Sequence, residues 1–278
     1  MTDYSLRDRV IAITGSTGGL GSALAEALRA KGAKLALFDL NAEAVHLQAA
    51  ALGGTSVARG WQVDVTSYDS LDAAMRAAAA HFGGIDIVVA NAGVEVVAPM
   101  ATTAPVVFER VIDINLNGVW RTFRAALEHV QERQGHLLAI SSMAAFVHSP
   151  LQASYTASKA GVWALCDSIR LEVKHLGVTV GSVHPTFFNT PMMDRVHANP
   201  AGAKLWGGNR SGFWKMVTLE SVVAGIVRGI ERRSDMVVLP AQHTLVARAP
   251  GLFRRFIEAF GFRQSDVVEA IDAAGSAP

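Results

Sequence analysis

Between Val10 and His184, short apolar runs alternate with longer stretches whose apolar positions recur at helical spacing. The runs at 10–14 and 35–38 are followed by helical patterns over about 19–30 and 42–52. A strand ending near Asp64 leads to a helix over 67–81, and the run 85–90 carries Asp86 as its one charge. A long helical stretch follows over 104–133. Two further alternations place 136–141 before a helix over 155–176, and 178–184 before a looser region.

Strands that are apolar throughout, rather than at every second residue, are covered on both faces and are generally parallel. The pattern predicts an α/β fold: a Rossmann-like doubly wound parallel sheet with helices on both faces, in a single domain. Ligands of such sheets bind beyond the carboxyl ends of the strands, which is where the polar clusters of this sequence fall. No linker, composition break or internal repeat divides the chain.

Composition narrows the function classes. Of 278 residues, 50% are hydrophobic and 18% charged, enough to bury a sizeable core. The net charge of +1 and the lack of a basic stripe argue against nucleic acid as a partner. The single cysteine, Cys166, forms no intrachain disulfide and reads as a small core residue. His184 and His197 have no partners at metal-ligand spacing, so no metal site is expected. The polar N-terminus lacks an apolar signal region, and no apolar stretch reaches the ~18 residues of a membrane span. A cytoplasmic location is the default expectation.

The segment Thr14-Gly-Ser-Thr-Gly-Gly-Leu-Gly21 follows the first strand and opens the first helix. Glycines there let the backbone turn tightly and approach a pyrophosphate, which the helix N-terminus attracts. Asp39 ends the second strand, 18 positions after Gly21. A carboxylate at that place accepts ribose hydroxyls and repels a 2′-phosphate, and no Lys or Arg stands beside it, so NAD is expected over NADP. The competing use of Asp39 is as a helix N-cap, a role Asn41 also suits. Tyr155 and Lys159 lie one helical turn apart, where an ammonium favours a phenolate. Ser142 ends the fifth strand, thirteen residues before Tyr155, and offers a hydroxyl to a substrate oxygen.

Together these motifs resemble the short-chain dehydrogenase/reductase family over about residues 7–240. Gly15, Gly19 and Gly21 match its TGxxxGxG turn, and Ala90-Asn91-Ala92-Gly93 is similar to its NNAG, with Ala90 in place of the first Asn. Ser142, Tyr155 and Lys159 match its catalytic triad, with Asn115 rather than Asn117 completing a tetrad. Pro185 and Thr190 fit its PGxxxT segment, where Thr186 replaces the glycine. The resemblance implies a cofactor site of Gly15, Ser16, Thr17, Gly19, Leu20, Gly21, Asp39, Asp64, Val65, Asn91, Ala92, Gly93, Tyr155, Lys159, Pro185, Phe188 and Thr190. Asp64 would hold the adenine amino group, although capping the helix near Ser67 suits it equally. The implied activity is hydride transfer between a secondary alcohol or ketone and NAD, with Tyr155 as acid/base. A carbonyl or 3-oxoacyl reductase working in the other direction, and a nucleotide-binding relative without turnover, are the alternatives.

The resemblance also implies a dinucleotide-binding and catalytic domain over 1–245 with a substrate lid at about 186–216. Phe187, Phe188, Met192, Met193, Trp206, Phe213, Trp214 and Met216 either line an apolar, steroid- or lipid-like substrate or pack the lid onto the protein. Residues 246–278 form a C-terminal amphipathic helix and tail. Its stripe of Leu252, Phe253, Phe256, Ile257 and Phe260 suits packing, a substrate lid or a membrane surface, packing being the commonest use. Residues 264–278 read as a frayed terminus. Apolar residues around Tyr155's helix (Val162, Trp163, Leu165 and Ile169) suit burial against a second subunit, and a homodimer or homotetramer is expected.

Overall fold

Seven strands form one parallel sheet in the order β3-β2-β1-β4-β5-β6-β7 in a computed structural model that describes residues 4–206, 209 and 215–275. The strands are β1 (Val10–Thr14), β2 (Lys34–Asp39), β3 (Ala58–Gln62), β4 (Ile87–Ala90), β5 (His136–Ile140), β6 (Thr179–Pro185) and β7 (Met236–Leu239). Helices α1 (Gly19–Ala30), α2 (Ala42–Ala51) and α3 (Tyr68–Phe82) alternate with the first four strands. Next come α4 (Pro105–Ile112), α5 (Gly118–Glu132) and α6 (Ala153–Val173). After β6 follow α7 (Pro191–Ala198), α8 (Pro200–Trp206) and α9 (Leu219–Glu231). Beyond β7 the chain ends in α10 (Thr244–Arg248), α11 (Pro250–Gly261) and α12 (Gln264–Gly275).

The central strands are fully buried because each alternates its side chains between two cores. Ile11 and Ile13 of β1 face α1 and α9, with Leu24, Leu28, Ile226 and Ile230. Val10 and Ala12 face the opposite layer, with Leu71, Met75, Phe123 and Val162. This two-sided burial is the physical origin of the uninterrupted apolar runs. Asp86 is tolerated at the start of β4 because Arg9 pairs with it at 2.7 Å and the Val10 N–H donates to it at 2.9 Å.

Several sequence expectations need correction. The helical stretch 104–133 is broken by a π-turn at Asp113–Asn117, between α4 and α5. The strand β7 was not foreseen: Met236–Leu239 is short, and the Asp235 before it obscures the apolar run. Residues 264–275 are a helix rather than a frayed end, because Ala270 is fully buried and Val267 and Ala274 pack against the lid. Of the apolar residues of α6, Val162 is buried in the core, Leu165 and Ile169 are partly buried against it, and the half-buried Trp163 packs on Phe146. The α11 stripe splits, with Ile257 buried while Leu252, Phe256 and Phe260 are exposed. No helix among the described residues is long and apolar enough to cross a membrane.

Candidate functional site

The strand order reverses between β1 and β4, so the loops leaving these two strands part and open a crevice. Their ends are tied by side chains. Asn91 donates from Nδ2 to the carbonyls of Thr14 and Gly15, at 3.0 and 2.9 Å. The Thr14 hydroxyl accepts the backbone N–H groups of Asn91 and Ala92, at 3.0 and 3.2 Å. The crevice measures about 600 Å³ and runs from the ends of β2 and β3, past the glycine turn, to β5, β6 and the lid.

At its dinucleotide end lie Gly15, Thr17, Gly18, Gly19, Leu20 and Gly21. Gly15 adopts φ +63°, and a Cβ there would meet the Ala92 Cα at 2.8 Å. A Cβ on Gly21 would lie 2.2 Å from the Gly15 carbonyl oxygen, so the turn closes only without a side chain. Gly18 is the N-cap of α1 and no side chain caps that helix, so its first N–H groups face the crevice available to an anion. Asp39 is not the cap of α2, since Asn41 accepts the Ala44 N–H at 3.0 Å. Instead the Asp39 carboxylate accepts the N–H of Thr17 and of Asn41, at 3.0 and 3.2 Å, and lines the crevice. Ser67 caps α3, leaving Asp64 in a local turn that accepts from the Thr66 N–H and hydroxyl. Asp64 and Val65 both line the crevice. A dinucleotide fits this donor set: uncapped helix N–H groups for phosphates and carboxylates for the ribose and base.

Ser142, Tyr155 and Lys159 come together at the other end, with Asn91, Ala92, Gly93, Pro185, Phe188 and Thr190 on the same walls. Lys159 is buried and its ammonium donates to the Ile140 carbonyl at 2.9 Å, lying 5.5 Å from the centre of the Tyr155 ring. Thr190 caps α7 through its hydroxyl, which accepts the Met193 N–H at 3.3 Å. Thr186 takes no left-handed conformation, and its N–H donates to the Leu239 carbonyl at 2.8 Å. The glycine it replaces is therefore not needed for this path. The buried His184 bridges the Ser182 hydroxyl and the Ser142 carbonyl, at 2.9 and 3.3 Å. His197 meets Asn209 at 2.8 Å. Burial pushes the His184 imidazole down to about 4 and the Cys166 thiol up to about 12. The histidine is neutral and the thiol inert.

Of the predicted site residues, Ser16 is turned away from the crevice, whereas Asn115 stands behind its wall next to Lys159: their side-chain oxygen and ammonium lie 3.3 and 3.6 Å from the point a Cβ on Gly93 would take. Ser16 is fully buried and turned to α2, where it donates to the Gln48 carbonyl at 2.9 Å and its own carbonyl accepts from Gln48 at 2.7 Å. Asn115, fully buried within the π-turn, lies behind the crevice wall. Its amide accepts the Val94 N–H and donates to the Val94 carbonyl, both at 2.8 Å, and donates to the Ser158 hydroxyl at 3.1 Å. Asn117 instead pairs with Asp113 at the exposed surface. Of the lid residues, Phe187, Phe188, Met192, Met193 and Trp206 line the crevice, while Phe213 and Trp214 lie outside the described residues.

The electrostatics differ from the sequence expectation. Burial, and then the charge of Glu95, raise the Tyr155 phenol well above its ordinary value, and a hydrogen bond from Ser142 acts in the opposite direction. Burial also lowers the Lys159 ammonium to about 8, while Glu95 favours its charged form. Glu95 and its partner Gln152, both on the crevice wall, were missed in the sequence. The available signal was a single charge in the otherwise apolar run Val94-Glu-Val-Val-Ala98, two residues past Gly93.

Comparison with known proteins adds an independent line. The model of the short chain dehydrogenase family matches residues 9–201. The chain is 35% identical to 3beta-hydroxysteroid dehydrogenase 1 of Eggerthella lenta, covering 70% of this chain and 76% of that protein. It is 36% identical to D-threitol dehydrogenase of Mycolicibacterium smegmatis, covering 75% and 77%. The crystal structure of gox2181 superposes with a TM-score of 0.76 at 26% identity, over 84% of this chain and 94% of that one.

Proposed function

The chain belongs to the short-chain dehydrogenase family, and on that premise we propose that it is an NAD-dependent dehydrogenase of secondary alcohols. The observation that carries this reading is the gathering of Ser142, Tyr155 and Lys159 in one crevice with an uncapped, glycine-lined helix N-terminus. Gly15, Thr17, Gly19, Leu20 and Gly21 hold the pyrophosphate, Asp39 the adenosine ribose, and Asp64 and Val65 border the adenine. The nicotinamide, when bound, supplies or takes up hydride. Tyr155 removes or returns the proton of the substrate oxygen, and the Ser142 hydroxyl orients that oxygen. Lys159 holds the nicotinamide ribose, while Asn115 keeps the wall at Val94 in place. Pro185, Phe188 and Thr190 border the carboxamide, and Asn91, Ala92 and Gly93 the ribose side.

Asp39 supports NAD over NADP, because its carboxylate repels a 2′-phosphate and no cation stands next to it in sequence. The lid's Phe187, Met192 and Trp206 support a largely apolar substrate. That relatives are named for a hydroxysteroid and for threitol fits a secondary alcohol or its ketone. One observation favours the reductive reading: burial and Glu95 raise the Tyr155 phenol above its ordinary value, which disfavours its use as a base and suits a proton donor. Val106, Phe108, Trp120 and Leu171 are exposed on α4, α5 and α6 and suit burial against a second copy.

The test is a screen of alcohols for NADH formation and of ketones for NADH consumption. Tyr155→Phe is expected to abolish both while NAD still binds. Substantial residual turnover would remove Tyr155 from the chemistry, and a preference for NADP of about tenfold or more would remove the role of Asp39.

A further inference from the structure

The reaction outlined above leaves three charged groups on the crevice wall without a task, Glu95, Arg110 and Arg195, and Glu95 is the one acid among them. Glu95 stands two residues beyond Gly93, on the wall it shares with Ser142, Tyr155 and Lys159. It is held from two directions. Its backbone neighbour Val94 is clamped by Asn115 through both N–H and carbonyl. Its carboxylate accepts a hydrogen bond from the amide of Gln152, itself buried just before α6.

An ionised carboxylate has room for about four hydrogen bonds. Among the described residues, Gln152 is the one hydrogen-bond donor to Glu95, and no ion pair reaches it. Lys159 from α6 and Arg195 from α7 act on it only through their charge, and Tyr155 is the acid it opposes. The crevice it lines also carries the apolar side chains of Met143, Val147, Phe187 and Met192. Glu95 is half-buried, and a donor that completes the shell of its carboxylate stabilises the ionised form. Glu95 lines the same crevice as Ser142 and Tyr155, where a ligand can take up the remaining acceptor capacity.

We propose that Glu95, steadied by Gln152, is a specificity-determining residue that accepts a hydrogen bond from a second hydroxyl on an otherwise apolar alcohol substrate. The inference rests on the dehydrogenase reading above and narrows its substrate class to diols and related hydroxy-alcohols. A hydroxyl suits the position better than an ammonium, because Lys159 and Arg195 already place two positive charges within electrostatic range. A donor that pairs with Glu95 also counters the push Glu95 exerts on Tyr155, so the preferred substrate eases its own deprotonation.

The experiment uses matched probes: cyclohexane-1,2-diol against cyclohexanol, and butane-2,3-diol against butan-2-ol. Ligand-observed NMR titrations give dissociation constants for the protein alone and with NADH, and NAD reduction gives kcat/KM in parallel. The diol is expected to lead its mono-alcohol by at least about tenfold in binding, as a hydrogen bond to a charged acceptor implies. Glu95→Leu should erase that lead, and Glu95→Gln, which keeps one acceptor without the charge, should shrink it severalfold. If Glu95→Leu does not fold, Glu95→Gln carries the comparison.

Equal binding of diol and mono-alcohol by the parent, no binding of either probe, or a lead that survives both substitutions would overturn the proposal. Tighter binding of 2-aminocyclohexanol than of the diol would overturn it in favour of a cationic substrate. A diol lead in binding without NAD reduction would leave this subsite standing and remove the dehydrogenase reading. Turnover without a diol lead would do the reverse.

Discussion

Asn115→Ala isolates the residue that ties the π-turn to the crevice wall. Its amide makes three hydrogen bonds: two at 2.8 Å to the Val94 peptide groups and one at 3.1 Å to the Ser158 hydroxyl. Truncation leaves the Val94 N–H and carbonyl without protein partners, and each such group costs roughly 1–3 kcal/mol when buried. Val94 lines the crevice, so water takes up part of the lost bonding. A destabilisation of about 2–4 kcal/mol follows, which for a chain of this size lowers Tm by roughly 3–7 °C. Asn117→Ala is the control, because its bond to Asp113 is exposed and its loss costs about 0.5 kcal/mol or less. Urea and thermal unfolding of the two variants measure the difference. A cost below about 1 kcal/mol for Asn115→Ala, or equal costs for both, would refute the clamp.

Gly21→Ala places a Cβ 2.2 Å from the Gly15 carbonyl oxygen and 2.9 Å from the Asn91 amide nitrogen. The turn must open, which costs about 1–3 kcal/mol. Dinucleotide affinity, read by NADH fluorescence, falls with it. Gly18→Ala is the stability control: its Cβ would lie 3.4 Å from the Gly15 oxygen at an ordinary φ of −68°. A Gly21→Ala protein as stable as Gly18→Ala would contradict the close approach. For Glu95, burial raises the carboxyl from 4.5 to about 7, so the folded chain keeps a proton that the unfolded chain has released between those pH values. Its contribution is therefore fully present below pH 4.5 and lost as pH rises through 7, amounting to on the order of 2–3 kcal/mol. Glu95→Gln should match the parent in urea titrations below that window and exceed it by this amount above. A constant difference across the window would show that the carboxyl is not strained by burial.

The architecture was legible because two-sided burial leaves a plain trace: apart from the edge strand β3, Ala58-Arg-Gly-Trp-Gln62, every strand from β1 to β6 is an apolar run ahead of a helical pattern. The crevice was legible because glycines and a strand-end acid are required by backbone geometry and charge, both of which are local. What the sequence concealed was orientation and long-range pairing. Ser16 sits inside the glycine motif, yet its hydroxyl turns away to Gln48, 32 residues on. Asn115 is distinguished from Asn117 by the π-turn that aims it inward, and helical periodicity cannot register a π-turn. The partners Glu95 and Gln152 are 57 residues apart, and neither belongs to a motif. The terminal helix α12 escaped notice because only Ala270 of its residues is fully buried, too small a signal against its polar neighbours.

One turn of helix between a tyrosine and a lysine does not by itself produce a base. The Lys159 ammonium is already engaged with the Ile140 carbonyl and lies beside the ring rather than in a hydrogen bond to the phenol oxygen. The acidity of Tyr155 is then a balance over the whole crevice, with burial and Glu95 on one side and the Ser142 hydroxyl on the other. Burial cannot be changed without opening the core, and on the proposed mechanism Ser142 serves the reacting oxygen. Glu95 is the adjustable member, because a proton or a hydrogen-bond donor placed on its carboxylate weakens its field at once. On the proposed role of Glu95, the residue that recognises part of the substrate would also govern how readily the phenol gives up its proton, so that selectivity and activation would share a single charge.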